Sequence, residues 1–307
     1  VETSFSSGGL HIAATLLLPD GDGPHPGVVL IQGSGPSSRK NVWSLLIGQE
    51  MALRGIAAFL PDKRGTGDSD GDWETAGFEE LAADAVAAVD ALAGLPEIDA
   101  GHVGVIGLSQ GGFYAPVVAV AAGTEKVGFV GAVSTSLVRW DQTINHEMSN
   151  TFREVGLSGR HFDLAVQVQN AALAFVRGGS WEEYSRIREV ALVETKADVI
   201  AGFPADQDAP MWTRVRKMVG YDPFPQWEQV SQPMFFAFGE EDEEDNVPVA
   251  ASIERIRAHL KPTHDVTFHL YPGSGHALWD PEMAEQGEAA IRQDFSLNLV
   301  EWILSRR

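Results

Sequence analysis

The chain has 307 residues, and its 43 acidic and 22 basic side chains give a net charge of −21. Nucleic acids and anionic membrane surfaces are bound through clusters of lysine and arginine, so this charge balance argues against both as partners. The absence of cysteine excludes disulfides, thiolate zinc sites and cysteine nucleophiles.

The apolar stretches are all well short of the roughly 20 residues that span a bilayer. No positively charged segment followed by an apolar one opens the chain. We therefore expect a cytoplasmic protein without a membrane partner, and a secreted mature form stays open because the first residue is Val1. The oligomeric state is equally open, with a homodimer among the options.

The first 136 residues alternate short apolar runs with helical patterns, as the βαβ units of a mostly parallel sheet do. The helical pattern at 78–95 is amphipathic, since its apolar side chains recur every three or four positions. The strand runs are rich in β-branched residues, as in strands buried on both faces. We predict strands at 10–19, 27–33, 55–65, 102–109 and 127–136, and a helix at 78–95.

Strand signals then stop, and about ninety residues with helical periodicity follow before strands return at 233–239 and 266–275. A closing helix is predicted from residue 295. The sequence therefore predicts an α/β fold with a mostly parallel central sheet flanked by helices and an inserted helical cap. Its three parts are 1–137 (core, first part), 138–228 (cap) and 229–307 (core, second part).

The strongest local signal is "GLSQGG" at 107–112, which satisfies G-x-S-x-G between a predicted strand and a predicted helix. A serine on such a sharp turn is crowded by the residues two before and two after it, so only small side chains fit at Gly107 and Gly111. The turn presents the Ser109 hydroxyl at the carboxyl edge of the sheet, beside the positive end of the helix dipole. Ser109 is therefore the candidate nucleophile, against the alternative of an incidental serine in a glycine-rich turn.

A serine nucleophile needs a general base, and the base needs an acid to orient it, in the chain order Ser, acid, His. Of the nine histidines, His276 in "YPGSGHALW" directly follows a predicted strand and lies among small residues. That position lets its imidazole reach the sheet edge, so His276 is the candidate base.

The acid must come from the loop after strand 233–239, which is "GEEDEEDNVPV" (239–249). Most of its six consecutive acidic residues are expected to be solvated. A calcium loop starting at Asp242 would need glycine at its sixth position, where this chain has Val247, so we predict no metal site. No organic cofactor is implied either.

An oxyanion hole requires two backbone N–H groups, one of them from the residue after the nucleophile. Gln110 supplies the first. The glycine-rich loop "QGSGPSSR" (32–39) follows an earlier strand and is placed to supply the second, from Ser34.

Taken together, "QGSGP", "DKRGTGDSDG", "GLSQGG", "GEEDEEDNVPV" and "GSGHAL" resemble the α/β-hydrolase superfamily, and within it bacterial serine esterases. The esterases in question have an H-G-S-G-P loop and a D-K-R-G-x-G-x-S turn, and the resemblance covers about 10–136 and 221–300. It implies Ser109 as nucleophile, His276 as base, Ser34 and Gln110 as oxyanion donors, and the "DKRGTGDS" turn as the support of the oxyanion loop. Gln32 departs from the family, which usually has a histidine there to brace the loop.

The acid loop departs as well, because it is about two residues longer than the usual G-x-x-D-x-x-V-P. Counted forward from Gly239, the acid of the family falls on Asp242. Counted back from "VP", the nearest aspartate is Asp245, and strict alignment gives Glu244. We expect Asp242, because the strand end is the rigid reference, and keep Asp245 as the alternative.

The sequence thus predicts a serine hydrolase of carboxylic esters that acts through an acyl-enzyme, on small to medium neutral esters. Amide, thioester or carbon–carbon bond cleavage, acyl transfer and a non-catalytic binding role are the alternatives. Apolar candidates for the substrate pocket are Phe113, Tyr114, Trp140, Met211, Trp212 and Trp279.

Overall fold

A computed structural model describes residues 1–287 and 289–306, and these contain one eight-stranded sheet. The strands are Glu2–Ser7 (β1), Leu10–Leu17 (β2), His25–Ile31 (β3), Ala57–Pro61 (β4), Ile98–Leu108 (β5), Phe129–Val133 (β6), Met234–Gly239 (β7) and Val266–Tyr271 (β8). Their order across the sheet is β1-β2-β4-β3-β5-β6-β7-β8. β1 and β2 pair antiparallel with each other, and β2 pairs antiparallel with β4. All pairs from β4 to β8 are parallel.

Helices cover both faces of this sheet and fill the interval between β6 and β7. They are Val42–Leu53 (α1), Phe78–Ala93 (α2), Gly111–Ala122 (α3), Trp140–Glu154 (α4), Gly159–Val176 (α5), Trp181–Thr195 (α6), Asp198–Ala201 (α7), Pro210–Met218 (α8), Phe224–Trp227 (α9), Val249–His259 (α10), Pro281–Glu285 (α11) and Gln293–Leu304 (α12). The predicted fold class is confirmed.

Side chains of β5 show why this sheet needs a helical layer on each face. Successive residues of a strand point to opposite sides. Val103 and Val105 belong to the core beneath α2 and α3, whereas Ile106 and Leu108 belong to the core beneath α1 and α12. Because both faces are apolar and fully buried, the central strand lacks the polar alternation of a half-exposed strand.

The six helices α4 to α9 all lie within the interval predicted for the cap. Their own core is aromatic: Tyr184 packs edge-on against Trp212 at 5.3 Å between ring centroids, and Phe175 contacts both rings. α4 is tied to the loop after β7, because the Asn150 amide donates to the carbonyls of Glu243 and Asp245 at 3.2 and 3.1 Å. This contact sets one helix of the insertion directly over the acidic loop.

β1 and α1 are among the elements that the sequence analysis did not predict. The β1 strand "ETSFSS" is polar at alternate positions and pairs only with β2 along the sheet edge, so it carries little apolar signal. In α1, the apolar residues are spread around the helix rather than on one stripe. Within the described residues, no helix is long and apolar enough to cross a membrane.

Candidate active site

Ser109 lies on a strained turn between β5 and α3, at the carboxyl edge of the sheet. Its φ is 50°, a left-handed conformation that costs a non-glycine residue about 1–2 kcal/mol. A Cβ on Gly107 would meet the Gly111 carbonyl carbon at 2.5 Å, and a Cβ on Gly111 would meet the Ile31 oxygen at 2.5 Å. The Ser109 N–H donates to the Val133 oxygen at 2.9 Å, which fixes the turn to the neighbouring strand.

His276 connects Ser109 to a buried carboxylate. Its Nε2 lies 2.9 Å from Ser109 Oγ, and its Nδ1 lies 2.8 and 3.1 Å from the two oxygens of Asp242. The Asp242 side chain has no exposed surface, whereas that of His276 is 23% exposed. The Nδ1 side of the ring is therefore held by the buried carboxylate of Asp242, while the ring remains accessible from the cavity at Ser109.

The acidic loop presents Asp242 to His276 by folding into a short 3-10 helix, Glu241–Glu244, directly after β7. The N–H groups of Asp245 and Val247 both donate to the Asp242 carbonyl, and the Asn246 N–H donates to Asp242 Oδ1 at 3.2 Å. The Asp245 side chain is exposed. Of the two candidate acids, only Asp242 makes the hydrogen bond to His276.

Three carboxylates raise the pKa of His276. Burial disfavours its imidazolium, but the hydrogen bond and charge of Asp242, with the charges of Asp245 and Glu147, outweigh burial and raise the pKa of His276 above its usual 6.5. Burial raises the pKa of Glu147. Partial desolvation of the Asp245 carboxylate and the nearby charge of Asp242 raise the pKa of Asp245. A raised pKa makes His276 a stronger base for the Ser109 proton.

The predicted oxyanion donors lie on either side of Ser109. Ser34 and Gln110 both line the same pocket as the Ser109 hydroxyl. A Cβ on Gly33 would lie 3.4 Å from the Ser109 Cβ, so this loop passes close to the nucleophile. Within residues 1–287 and 289–306, neither the Ser34 N–H nor the Gln110 N–H donates to a protein acceptor.

The Gln32 side chain makes no hydrogen bond to that loop within the described residues. Its side-chain amide donates to Ser44 Oγ at 3.3 Å and to the Pro61 oxygen at 3.4 Å. The Gln32 carbonyl instead accepts from the Tyr114 hydroxyl at 3.4 Å. The loop carbonyls of Gly33 and Gly35 accept hydrogen bonds from Lys63 Nζ instead.

Ser109 opens onto a cavity of about 170 Å³ between the sheet edge and α4. A second cavity of about 390 Å³ lies among α4, α5 and α8, and its lining is almost entirely apolar. Trp140 and Ile144 line both cavities, so these two side chains form the wall between them.

The six predicted pocket residues divide between these cavities and the core. Phe113 and Trp140 line the Ser109 cavity, and Trp140, Met211 and Trp212 line the second one. Tyr114 and Trp279 line neither cavity. The Tyr114 hydroxyl donates to the Gln32 carbonyl in the core, and Trp279 forms a β-bridge with Ile291.

Glu147 is a site residue that the sequence did not reveal. It lies on α4 and lines the Ser109 cavity, and its carboxylate makes no hydrogen bond within the described residues. Its only sequence signal is a place on an amphipathic helix, which many solvated glutamates share. No group of three or more His, Asp or Glu side chains suited to a metal ion occurs in the described ranges.

One protein-family model matches most of this chain. The family model described as X-Pro dipeptidyl-peptidase (S15 family) matches residues 8–261. No curated protein matched the chain.

Among solved structures, the chain is similar to Est1E from Butyrivibrio proteoclasticus with bound ferulic acid (16% identity, 99% of this chain and 98% of that one, TM-score 0.62). It is also similar to proline iminopeptidase from Mycobacterium smegmatis (16% identity, 100% and 98%, TM-score 0.63). A third is an esterase from Exiguobacterium antarcticum (13% identity, 98% and 98%, TM-score 0.59). At these identities the similarity shows a shared fold.

Proposed function

The chain belongs to the X-Pro dipeptidyl-peptidase (S15) family and is a hydrolase with the α/β-hydrolase fold, and within that frame we propose that it cleaves carboxylic esters through an acyl-enzyme. The observation that carries the proposal is the continuous hydrogen-bonded chain from buried Asp242 through His276 to Ser109. A hydroxyl that is bonded to a base, itself oriented by a buried acid, is the arrangement of an activated serine nucleophile.

In the proposed mechanism, Ser109 Oγ attacks the ester carbonyl carbon while its proton passes to His276 Nε2. The carbonyl oxygen becomes an oxyanion, which accepts hydrogen bonds from the Ser34 and Gln110 N–H groups. His276 then gives its proton to the departing alkoxide, leaving the acyl group on Ser109. A water molecule, deprotonated by His276, attacks the acyl carbon, and return of the proton to Ser109 Oγ releases the carboxylic acid.

We propose small to medium neutral esters as substrates, with an apolar acyl or aromatic part. The cavity at Ser109 holds a short group, and the larger apolar cavity behind Trp140 and Ile144 gives room for a longer one. Glu147 in the first cavity disfavours anionic substrates, because a second negative charge there would meet like-charge repulsion in a poorly hydrated space.

A peptidase is the second candidate, and the family match favours it. A dipeptidyl-peptidase acts on a chain with a free amino terminus, which is cationic at neutral pH. Glu147 is the side chain of the Ser109 cavity with the charge to pair with such a group. Ester and amide cleavage use the same nucleophile and base, so the test substrates must differ separately in their leaving group and in whether they have a free amino terminus.

Paired substrates separate the two functions. We expect the wild type to hydrolyse p-nitrophenyl butyrate and to leave both butyryl p-nitroanilide and Ala-Pro p-nitroanilide largely intact. A fluorophosphonate probe should label the wild type and not Ser109→Ala, which should lose ester turnover. Efficient release of p-nitroaniline from Ala-Pro p-nitroanilide alone would identify the peptidase, and ester turnover retained by Ser109→Ala would refute the nucleophile.

A further inference from the structure

Lys63, the second residue of the turn after β4, places a buried ammonium against the oxyanion loop. The residue is 6% exposed. Its Nζ donates to the carbonyl of Gly33, to that of Gly35 at 2.9 Å, and to Gln110 Oε1 at 3.5 Å. The Gly33 and Gly35 carbonyls flank Ser34, and the third acceptor belongs to Gln110. Lys63 therefore contacts both segments that carry the predicted oxyanion donors.

The bond to the Gly33 carbonyl determines where the Ser34 N–H points. The two groups belong to the same peptide unit, and in a planar trans peptide the C=O and the N–H point in opposite directions. Lys63 does not line the Ser109 cavity, whereas Ser34 does. A Gly33 oxygen that is bonded to Lys63 therefore implies that the Ser34 N–H, which has no acceptor among the described residues, is directed to the cavity side. The closeness of Gly33 to Ser109 puts that N–H at the nucleophile.

We propose that Lys63 is a positioning residue for catalysis, which orients the Ser34 N–H to receive the oxyanion. The inference rests on the proposed acyl-enzyme function and adds a residue to it. Lys63 does the bracing that the side chain of Gln32, turned toward Ser44 and Pro61, does not do.

The turn that carries Lys63 is itself locked to the oxyanion loop. The Lys63 N–H donates to the Ser37 carbonyl at 3.1 Å, and Thr66 Oγ1 donates to the same oxygen at 3.0 Å. Buried Asp62 accepts from the Arg39 N–H at 2.7 Å and from its guanidinium. These bonds fix the end of the loop at Ser37 and Arg39. Among the described residues, Lys63 is the sole hydrogen-bond donor to the Gly33 carbonyl, so the orientation of that peptide depends on the lysine.

Substitution of Lys63 tests the proposal through the transition state. Lys63→Met keeps the chain length and removes the donor, and we expect kcat for p-nitrophenyl butyrate to fall about 10²-fold, with KM changed less than about threefold. A trifluoromethyl ketone adds Ser109 Oγ to its carbonyl and forms the same oxyanion, so its affinity should fall by a similar factor. Lys63→Gln, which retains an N–H donor, should recover part of both losses.

Lys40→Met is the matched control, because Lys40 is an exposed lysine directly after the oxyanion loop; both readouts should match the wild type. Near-ultraviolet circular dichroism verifies folding, and Lys63→Gln takes over the test if Lys63→Met does not fold. Unchanged kcat and trifluoromethyl ketone affinity in the folded variant would overturn the positioning role, and so would a loss confined to KM. A wild type without ester turnover would overturn the proposed function and this inference with it.

Discussion

Replacing Asp242 by asparagine should destroy turnover by reversing the tautomer of His276. Asp242 Oδ1 accepts the Asn246 N–H, and Oδ2 lies 2.8 Å from His276 Nδ1. If the asparagine oxygen keeps the Asn246 bond, its amide N–H₂ replaces Oδ2 and faces Nδ1. Nδ1 must then accept, which puts the imidazole proton on Nε2, and a protonated Nε2 cannot take the Ser109 proton.

The expected loss is about 10⁴-fold in kcat, on the order of 5.5 kcal/mol of transition-state stabilisation, as for removal of the acid in other serine triads. Steady-state hydrolysis of p-nitrophenyl butyrate measures it, with active sites counted by the burst of p-nitrophenol. Asp245→Asn is the comparison, since its exposed side chain makes no bond to His276, and it should change kcat by no more than a few fold. Near-normal turnover in Asp242→Asn, or collapse in Asp245→Asn alone, would refute this assignment.

Three further outcomes follow from the charges and the close approaches around the site. The general base is lost as pH falls through the pKa of His276, which lies above 6.5, so Glu147→Gln should shift that acid limb to lower pH because one charge that stabilises the imidazolium is gone. An unmoved limb in the pH–rate profile would contradict the coupling. Burial lowers the pKa of Lys63 to about 7, so kcat should decline as pH rises past that value and the bracing ammonium loses its proton. Lys63→Gln should lack this alkaline limb, and an identical limb in both proteins would assign it to another group. A Cβ on Gly239 would lie 2.3 Å from the Ser274 carbonyl oxygen, whereas one on Gly275 would meet nothing within 4 Å. Calorimetry should therefore show Gly239→Ala destabilised by about 1–3 kcal/mol and Gly275→Ala unchanged. Equal melting temperatures of the two variants would contradict this packing.

The parts of the site that were predictable are those encoded within a few residues of each other. The elbow needs Gly107 and Gly111 for reasons of contact distance, and the structure shows backbone atoms at 2.5 Å from both Cβ positions. His276 was predictable because a parallel sheet brings the residues after its strands to one edge. Each depends on local geometry that the spacing of residues expresses directly.

The choice between Asp242 and Asp245 was less accessible, because residue counts cannot say on which side of the acid a loop insertion falls. The 3-10 helix Glu241–Glu244 turns the first aspartate inward, and the extra residues follow it. Tyr114 shows a related limit. Neighbouring residues on a helix point about 100° apart, and the helical period alone does not say which of them lines a given pocket.

Glu147 and Lys63 were the hardest site residues to predict, because tertiary packing, and not the local sequence, brings each of them to the site. Glu147 enters through the docking of α4 on the acidic loop, which Asn150 secures by two bonds to loop carbonyls. Lys63 enters because β3 and β4 are neighbours, so the loops that follow them meet. The motifs define the nucleophile, base and acid, whereas the rate and the choice of substrate depend on charges that the sheet order and the insertion bring to them. Because the Glu147 carboxylate lies in the Ser109 cavity, we propose it as the position at which the ester and peptidase candidates diverge.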